Sequence, residues 1–235
     1  YPGKDSKALA GASCAILPGE HVVILGKNGS GKSTLARLLL GYYQPDSGAI
    51  LLDGVPGDLT ATDGVGAQMG FVPQAARVYR DSLLENVRLR DASVSAEAVM
   101  HIAEKCNLTG LLTHFPSGVN EPLSPDALSG GETQCIAIAR ALVRQPKVLL
   151  LDEITSHLDI YSKRRVFGVL RALHGSCTII AITHDVEFIA LADRVLIMDE
   201  GKLYPADFDT PPESISEILD LVRQSRQEPT MANES

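Results

Sequence analysis

Eight consecutive residues, Gly26-Lys27-Asn28-Gly29-Ser30-Gly31-Lys32-Ser33, and a distant pair of acids, Asp152-Glu153, are the parts of this chain best suited to chemistry. The first set follows the spacing Gly-x-x-x-x-Gly-Lys-Ser of a P-loop, whose glycines let backbone N–H groups converge on phosphate oxygens. A helix opening directly after it adds the positive end of its dipole. Lys32 is spaced to reach the β- and γ-phosphates, Ser33 to ligate Mg²⁺, and Thr34 to sit on the α-phosphate side. The two acids end an apolar run, Val148-Leu149-Leu150-Leu151, so a buried strand delivers them to a sheet edge where ligands bind. Asp152 there suits Mg²⁺, and Glu153 suits orienting or deprotonating a water.

A third element, Leu128-Ser129-Gly130-Gly131-Glu132, admits two explanations. Ser129-x-x-Glu132 is a capping box ahead of a helix carrying Ile136, Ile138, Ala139 and Leu142. A cap does not explain two glycines in the first turn, each costing roughly 0.8–1 kcal/mol against alanine in a helix interior. Close approach of a phosphate to the helix N-terminus does. Both can hold together, and the costly glycines favour the ligand.

The elements that must position these residues follow from hydrophobic spacing. Residues 21–25 are a short apolar run ending at the P-loop, and 32–40 have helical spacing, which gives the strand–loop–helix order a P-loop needs. Turn residues 44–48 precede a strand at 49–52 and an Asp53-Gly54 turn. Another strand ends at Phe71-Val72, and from 81 to about 143 the spacing is helical. Apolar runs return at 148–151, 178–182 and 195–198, separated by helical stretches, which predicts a parallel sheet covered on both faces. Ile215, Ile218, Leu219 and Val222 form the apolar stripe of a C-terminal helix, and residues after about 226 read as a disordered tail.

The 235 residues suffice for one substantial core and at most a small inserted subdomain. A hydrophobic content of 45% with 21% charged residues fits a globular protein, and a net charge of −8 offers no global basic field for nucleic acid or anionic lipid. Cys14, Cys106, Cys135 and Cys177 are widely spaced and read as small buried hydrophobes rather than disulfides or a zinc site. No apolar run reaches the roughly 18–20 residues that cross a bilayer.

Taken in order, these motifs resemble the nucleotide-binding domain of the ATP-binding cassette (ABC) family over about residues 1–204. To the P-loop, signature and paired acids the resemblance adds a glutamine loop at Phe71-Val72-Pro73-Gln74, a D-loop at Ser156-His157-Leu158-Asp159 and a switch histidine in Ile182-Thr183-His184-Asp185. It implies a RecA-like parallel α/β core with an N-terminal antiparallel β subdomain and an inserted helical subdomain near 75–140. The ATPase domain then runs over 1–205, with a helical extension at 206–225 and a tail at 226–235. Two such domains sandwich two ATP molecules head to tail, with ATP and Mg²⁺ as the ligands. Gly26 to Thr34, Gln74, Asp152, Glu153 and His184 would serve one nucleotide, with Ser33, Gln74 and Asp152 toward the metal. Leu128, Ser129, Gly130, Gly131 and Glu132 would complete the partner's site, and Asp159 would contribute across the interface. Glu153, His184 and Gln74 are the catalytic expectations, and Tyr1 matches the aromatic that stacks on adenine.

Glu132 and Cys135 depart from the glutamine and arginine common in relatives. The segment from Tyr79 to Val87, Phe115-Pro116-Ser117-Gly118 and Ile154-Thr155-Ser156 lean toward an exporter half-transporter. The family normally has a strand ahead of its adenine aromatic, so the start at Tyr1 suggests a cut from a longer polypeptide with transmembrane helices upstream. The resemblance thus implies ATP hydrolysis powering translocation at the cytoplasmic face of a membrane, bacterial inner membrane foremost, with a second, identical domain as partner. The rivals are a soluble ABC ATPase acting on nucleic acid or ribosomes, and a non-hydrolysing ATP-gated clamp. No nucleic-acid partner is expected.

Overall fold

The computed structural model describes residues 7–56, 68–113, 116–206, 212 and 214–225. Tyr1, Phe115 and the tail at 226–235 lie outside them. The core is a six-stranded sheet built from β1 (His21–Leu25), β4 (Met69–Val72), β5 (Val148–Asp152), β6 (Thr178–Thr183), β7 (Arg194–Asp199) and β8 (Lys202–Ala206). Their spatial order is β4-β5-β6-β1-β7-β8. The first five are mutually parallel, and β8 returns antiparallel to β7. A separate antiparallel hairpin joins β2 (Leu51–Leu52) to β3 (Val55–Pro56).

Continuous apolar strands make sense here because both faces are covered. Side chains alternate between two clusters: Val23, Leu25, Leu149, Leu151, Ile179 and Ala181 enter one, while Val22, Ile24, Leu150, Ile180 and Ile182 enter the other. At roughly 1.5–3 kcal/mol for each fully buried large aliphatic side chain, these strands contribute a large share of the core's cohesion. Helix α1 (Lys32–Leu39) covers the second face through Leu35, Ala36 and Leu39. Helices α5 (Gly130–Leu142) and α6 (Ile160–Ala172) cover the first through residues such as Ile136, Ile138, Val166 and Leu170.

The helical segment holds α2 (Leu83–Arg88), α3 (Ala96–Lys105), the short α4 (Thr109–Leu112) and α5. Ser82 caps α2 and Ser95 caps α3. Asn86, fully buried, donates to the carbonyls of Tyr79, Asp81 and Ser82 and accepts from Tyr79 N–H, while Arg140 of α5 donates to the Asn86 carbonyl at 2.8 Å. These bonds tie the segment leading into α2 to the helix that carries the signature. Helix α7 (Ile215–Ser225) is the last described element and buries Ile218 and Leu219 against the first cluster.

The main departures from the sequence reading are local. The strand expected at 49–52 is confined to Leu51–Leu52, because its one described pairing is the short hairpin. Three of the four cysteines are buried as expected, but Cys14 is exposed on a segment without regular structure.

Candidate functional site

Parallel strands deliver all their C-terminal ends to one edge, and four neighbours carry the expected residues there. Strand β1 runs into the P-loop, β4 leads to Gln74, β5 ends at Asp152-Glu153, and β6 ends next to His184. Asn28, Gly29, Gly31, Lys32, Ser33, Thr34, Gln74, Asp152, Glu153 and His184 line one cleft of about 860 Å³. Gly26 and Ser30 are buried in the P-loop itself, and Lys27 lines an adjoining hollow with Asn28 and His184.

The P-loop backbone demands its glycines. Gly31 has φ 114°, and a Cβ there would stand 2.8 Å from the Ala8 carbonyl; a Cβ at Gly26 would stand 2.5 Å from the Met198 carbonyl. Lys32 is buried, and its ammonium donates to the carbonyls of Gly26 at 2.6 Å and Lys27 at 3.1 Å. It also lies 3.9 Å from Glu153 Oε1. Burial lowers its pKa, and the charges of Glu153 and Asp152 offset this only in part.

Glu153 sits at φ 50°, a left-handed conformation that costs a non-glycine residue on the order of 1 kcal/mol. Its N–H donates to the Ile182 carbonyl at 2.9 Å, so strand β6 fixes the turn. Its Oε2 lies 2.7 Å from His184 Nδ1 and 3.4 Å from both Thr183 Oγ1 and the His184 N–H. The Asp152 carboxyl is raised above its ordinary value, first by burial and then by the neighbouring Glu153 charge, against the pull of Lys32 and Arg37. Gln74 Nε2 donates to Ser156 Oγ at 3.0 Å, and Ser156 Oγ donates to the Glu153 carbonyl at 2.9 Å. The Gln74 carbonyl accepts from the buried Gln134 at 3.2 Å, which ties this loop to α5.

The signature residues stand apart from this cleft. Among the described residues that line it, none belongs to Leu128–Glu132, and Asp159 is also missing. Ser129 caps α5, with its Oγ accepting from Glu132 N–H at 3.1 Å and Glu132 Oε2 accepting from Ser129 N–H at 2.9 Å. Glu132 pairs with Arg165 at 3.1 Å. The glycines divide: a Cβ on Gly131 would meet the Ser162 backbone at 2.9 Å, so close packing of α5 on α6 already requires it. Gly130 is exposed, and a Cβ there meets only Leu158 Cδ2. Asp159 caps α6, accepting from the N–H groups of Tyr161 and Ser162 and from Ser162 Oγ. Cys135 is fully buried, and burial pushes its thiol up to about 12.

Sequence reasoning missed the far wall of the cleft, formed by Lys7, Ala8, Glu200 and Gly201. The signal was present, because β7 is another apolar run ending in charged and glycine residues at the same sheet edge. Ser156, which the sequence places in the D-loop and the Ile154-Thr155-Ser156 segment without a role in the cleft, bridges Gln74 to Glu153.

The chain matches a family described as ABC transporter over residues 9–156. The chain belongs to the ABC transporter family. It is 40% identical over 209 residues to the "ABC transporter B family member 26, chloroplastic" of Arabidopsis thaliana, covering 86% of this chain and 30% of that protein. It is 37% identical over 205 residues to the "ATP-dependent lipid A-core flippase" of Chromobacterium violaceum, covering 86% of this chain and 35% of that protein. The solved "Structure of a bacterial Atm1-family ABC exporter with ATP bound" superposes with a TM-score of 0.77 at 32% identity, covering 95% of this chain and 38% of that one. The chain thus spans about a third of the length of these relatives. No helix among the described residues is long and apolar enough to cross a membrane.

Proposed function

We propose that this ABC domain hydrolyses ATP to power translocation of a substrate across a membrane, working as a head-to-tail pair of domains around two nucleotides. The observation that carries this reading is the convergence of Lys32, Asp152, Glu153, His184 and Gln74 on one cleft while the signature glycines lie outside it. The membrane-spanning partner, fused ahead of this domain or separate, and the position at the cytoplasmic face are drawn from the exporter-type relatives.

Lys32 now donates to two neutral carbonyls. The β- and γ-phosphate oxygens of ATP are charged acceptors and draw it toward the nucleotide, since charge-assisted hydrogen bonds are roughly twice as strong as neutral ones. His184 similarly exchanges its contact with Glu153 for the γ-phosphate. Glu153 then turns its carboxylate to a water held with Gln74. The water oxygen attacks the γ-phosphorus, its proton passes to Glu153, and the bond from phosphorus to the bridging oxygen breaks with its electron pair leaving on ADP. Mg²⁺ fits the cleft, because Ser33, Asp152 and Gln74 are all oxygen donors and Asp152 is a carboxylate crowded by a second negative charge. Bound there, it would neutralise charge on the β- and γ-phosphates. The products are ADP and phosphate, and loss of the shared γ-phosphate lets the two domains separate.

Glu153→Gln removes the proton acceptor while keeping its shape. Turnover is expected to fall by roughly 10²–10⁴-fold with ATP affinity kept. Phosphate release and nucleotide titration measure the two quantities, and near-normal turnover would remove Glu153 from the base role.

A further inference from the structure

A network beside the cleft is not used by the chemistry above. Asp185 follows His184 directly, and its Oδ2 accepts from Thr155 Oγ1 at 2.9 Å and pairs with Lys163 Nζ at 2.7 Å. Its Oδ1 accepts from Glu187 N–H at 3.1 Å, and its own N–H donates to Thr183 Oγ1 at 3.0 Å. Thr155 lies in the turn after Glu153, one residue before Ser156. Lys163 stands one turn into α6, where its N–H donates to the carbonyl of Asp159.

One carboxylate therefore joins three segments: the His184 turn, the turn that carries Glu153 and Ser156, and the helix capped by Asp159. The Lys163 and Asp185 side chains are 20% and 12% exposed, so water screens this pair far less than a surface pair. Lys163 also reaches the half-exposed Glu187 at 3.3 Å. A cation here has a function that simple solubility does not need, because without it the mostly buried Asp185 charge would have, among the described residues, only the Thr155 hydroxyl and the Glu187 N–H as donors.

We infer that Lys163 is a positioning residue for hydrolysis: through Asp185 it holds His184 and Glu153 in register with each other and with the Asp159 end of α6. The inference rests on the proposed roles of His184 and Glu153. It assigns Lys163 no contact with nucleotide. The chemical step should therefore suffer while nucleotide binding, set by the P-loop, does not. Misplacing reacting groups by about 1 Å costs up to roughly 10²-fold in rate.

The test is steady-state ATP hydrolysis by the full-length protein, comparing Lys163→Met, Lys163→Arg, Asp185→Asn and Glu187→Gln. Lys163→Met and Asp185→Asn are expected to lose about tenfold or more in kcat, with KM for ATP changed less than about twofold. Lys163→Arg, which keeps a cation against Asp185, should keep most of the wild-type kcat, and Glu187→Gln should match the wild type. ATP titration checks that each variant is folded. Wild-type kcat in a Lys163→Met variant, or a folded Lys163→Arg variant no faster than Lys163→Met, would overturn the positioning role. Glu153→Gln run alongside separates the two readings. A lost Glu153→Gln rate beside a normal Lys163→Met rate overturns the positioning alone, whereas a normal Glu153→Gln rate overturns both.

Discussion

Helix α1 begins with Gly31, without a side-chain cap and without an acidic residue in its first turn, whereas α5 begins with a closed capping box between Ser129 and Glu132. Both helices face a phosphate-binding role in the proposed function, yet their N-termini are prepared differently. At α1 the positive end of the helix is left to the ligand, and the buried Lys32 adds a full charge. At α5 the orphan amides are partly satisfied within the chain and the charge nearest to them is negative. In the proposed function, the first would bind phosphate by itself. The second is stable alone and would add hydrogen bonds to a phosphate already held elsewhere. That difference is what a nucleotide shared between two copies requires, since each copy must bind ATP before it meets the other.

The comparison can be broken most severely at α1. Lys32→Met should reduce turnover by about 10³-fold or more and weaken ATP binding by at least tenfold, because a charged donor to the phosphates is lost. Calorimetric titration and phosphate release check this, and intact binding would move the primary phosphate site away from α1. At α5, Ser129→Arg should lower turnover by at least about 10²-fold while leaving ATP binding to the chain within about twofold. Equal loss of binding would erase the distinction between the helices.

The two signature glycines sharpen it further. Gly131→Ala should cost about 1–3 kcal/mol of stability, since its Cβ would stand 2.9 Å from the Ser162 backbone. Gly130→Ala, which meets only the end of Leu158, should cost much less stability and yet slow hydrolysis. Thermal melting and turnover measured together separate packing from ligand approach. If both variants lose stability alone, the glycines serve only the helix pair.

The smallest effect is in the cap. The Glu132 carboxyl sits below its ordinary value: burial raises it, but the hydrogen bonds from Ser129 N–H and Oγ and the Arg165 pair together outweigh that. The unfolded chain then binds a proton more readily than the folded one. The stabilisation is therefore complete above the ordinary carboxylate range of about 4–5 and is lost as pH falls through it to the lower folded value. Glu132→Gln should lose less than about 1 kcal/mol at neutral pH and show a flatter acid limb in denaturant titrations.

Much of this was legible in the sequence, for reasons tied to particular residues. Buried parallel strands are continuous apolar runs, so β1, β5, β6 and β7 were read to within one or two residues, and with them the edge that gathers Lys32, Asp152, Glu153 and His184. The P-loop was legible because each residue type answers to a local demand, such as φ 114° at Gly31. The capping box was legible from four residues, but the packing of Gly131 on Ser162 was not, because that contact joins two helices distant in sequence. Exposure of Cys14 was misread because composition carries no information about which segment lacks a partner layer. The Lys163–Asp185 pair escaped for the same reason: lysine in an amphipathic helix looks solvated until the fold sets a carboxylate 2.7 Å away.

The central claim is that the chain carries a complete first phosphate site at α1 and only the complement of a second chain's site at α5. The most direct test is ATP-dependent sedimentation of the hydrolysis-blocked Glu153→Gln domain beside the Glu153→Gln/Ser129→Arg double variant, with ATP affinity measured on each. The account predicts that the single variant doubles its mass on adding ATP, while the double variant binds ATP as tightly and remains a single copy. A double variant that pairs as readily as the single one would contradict it.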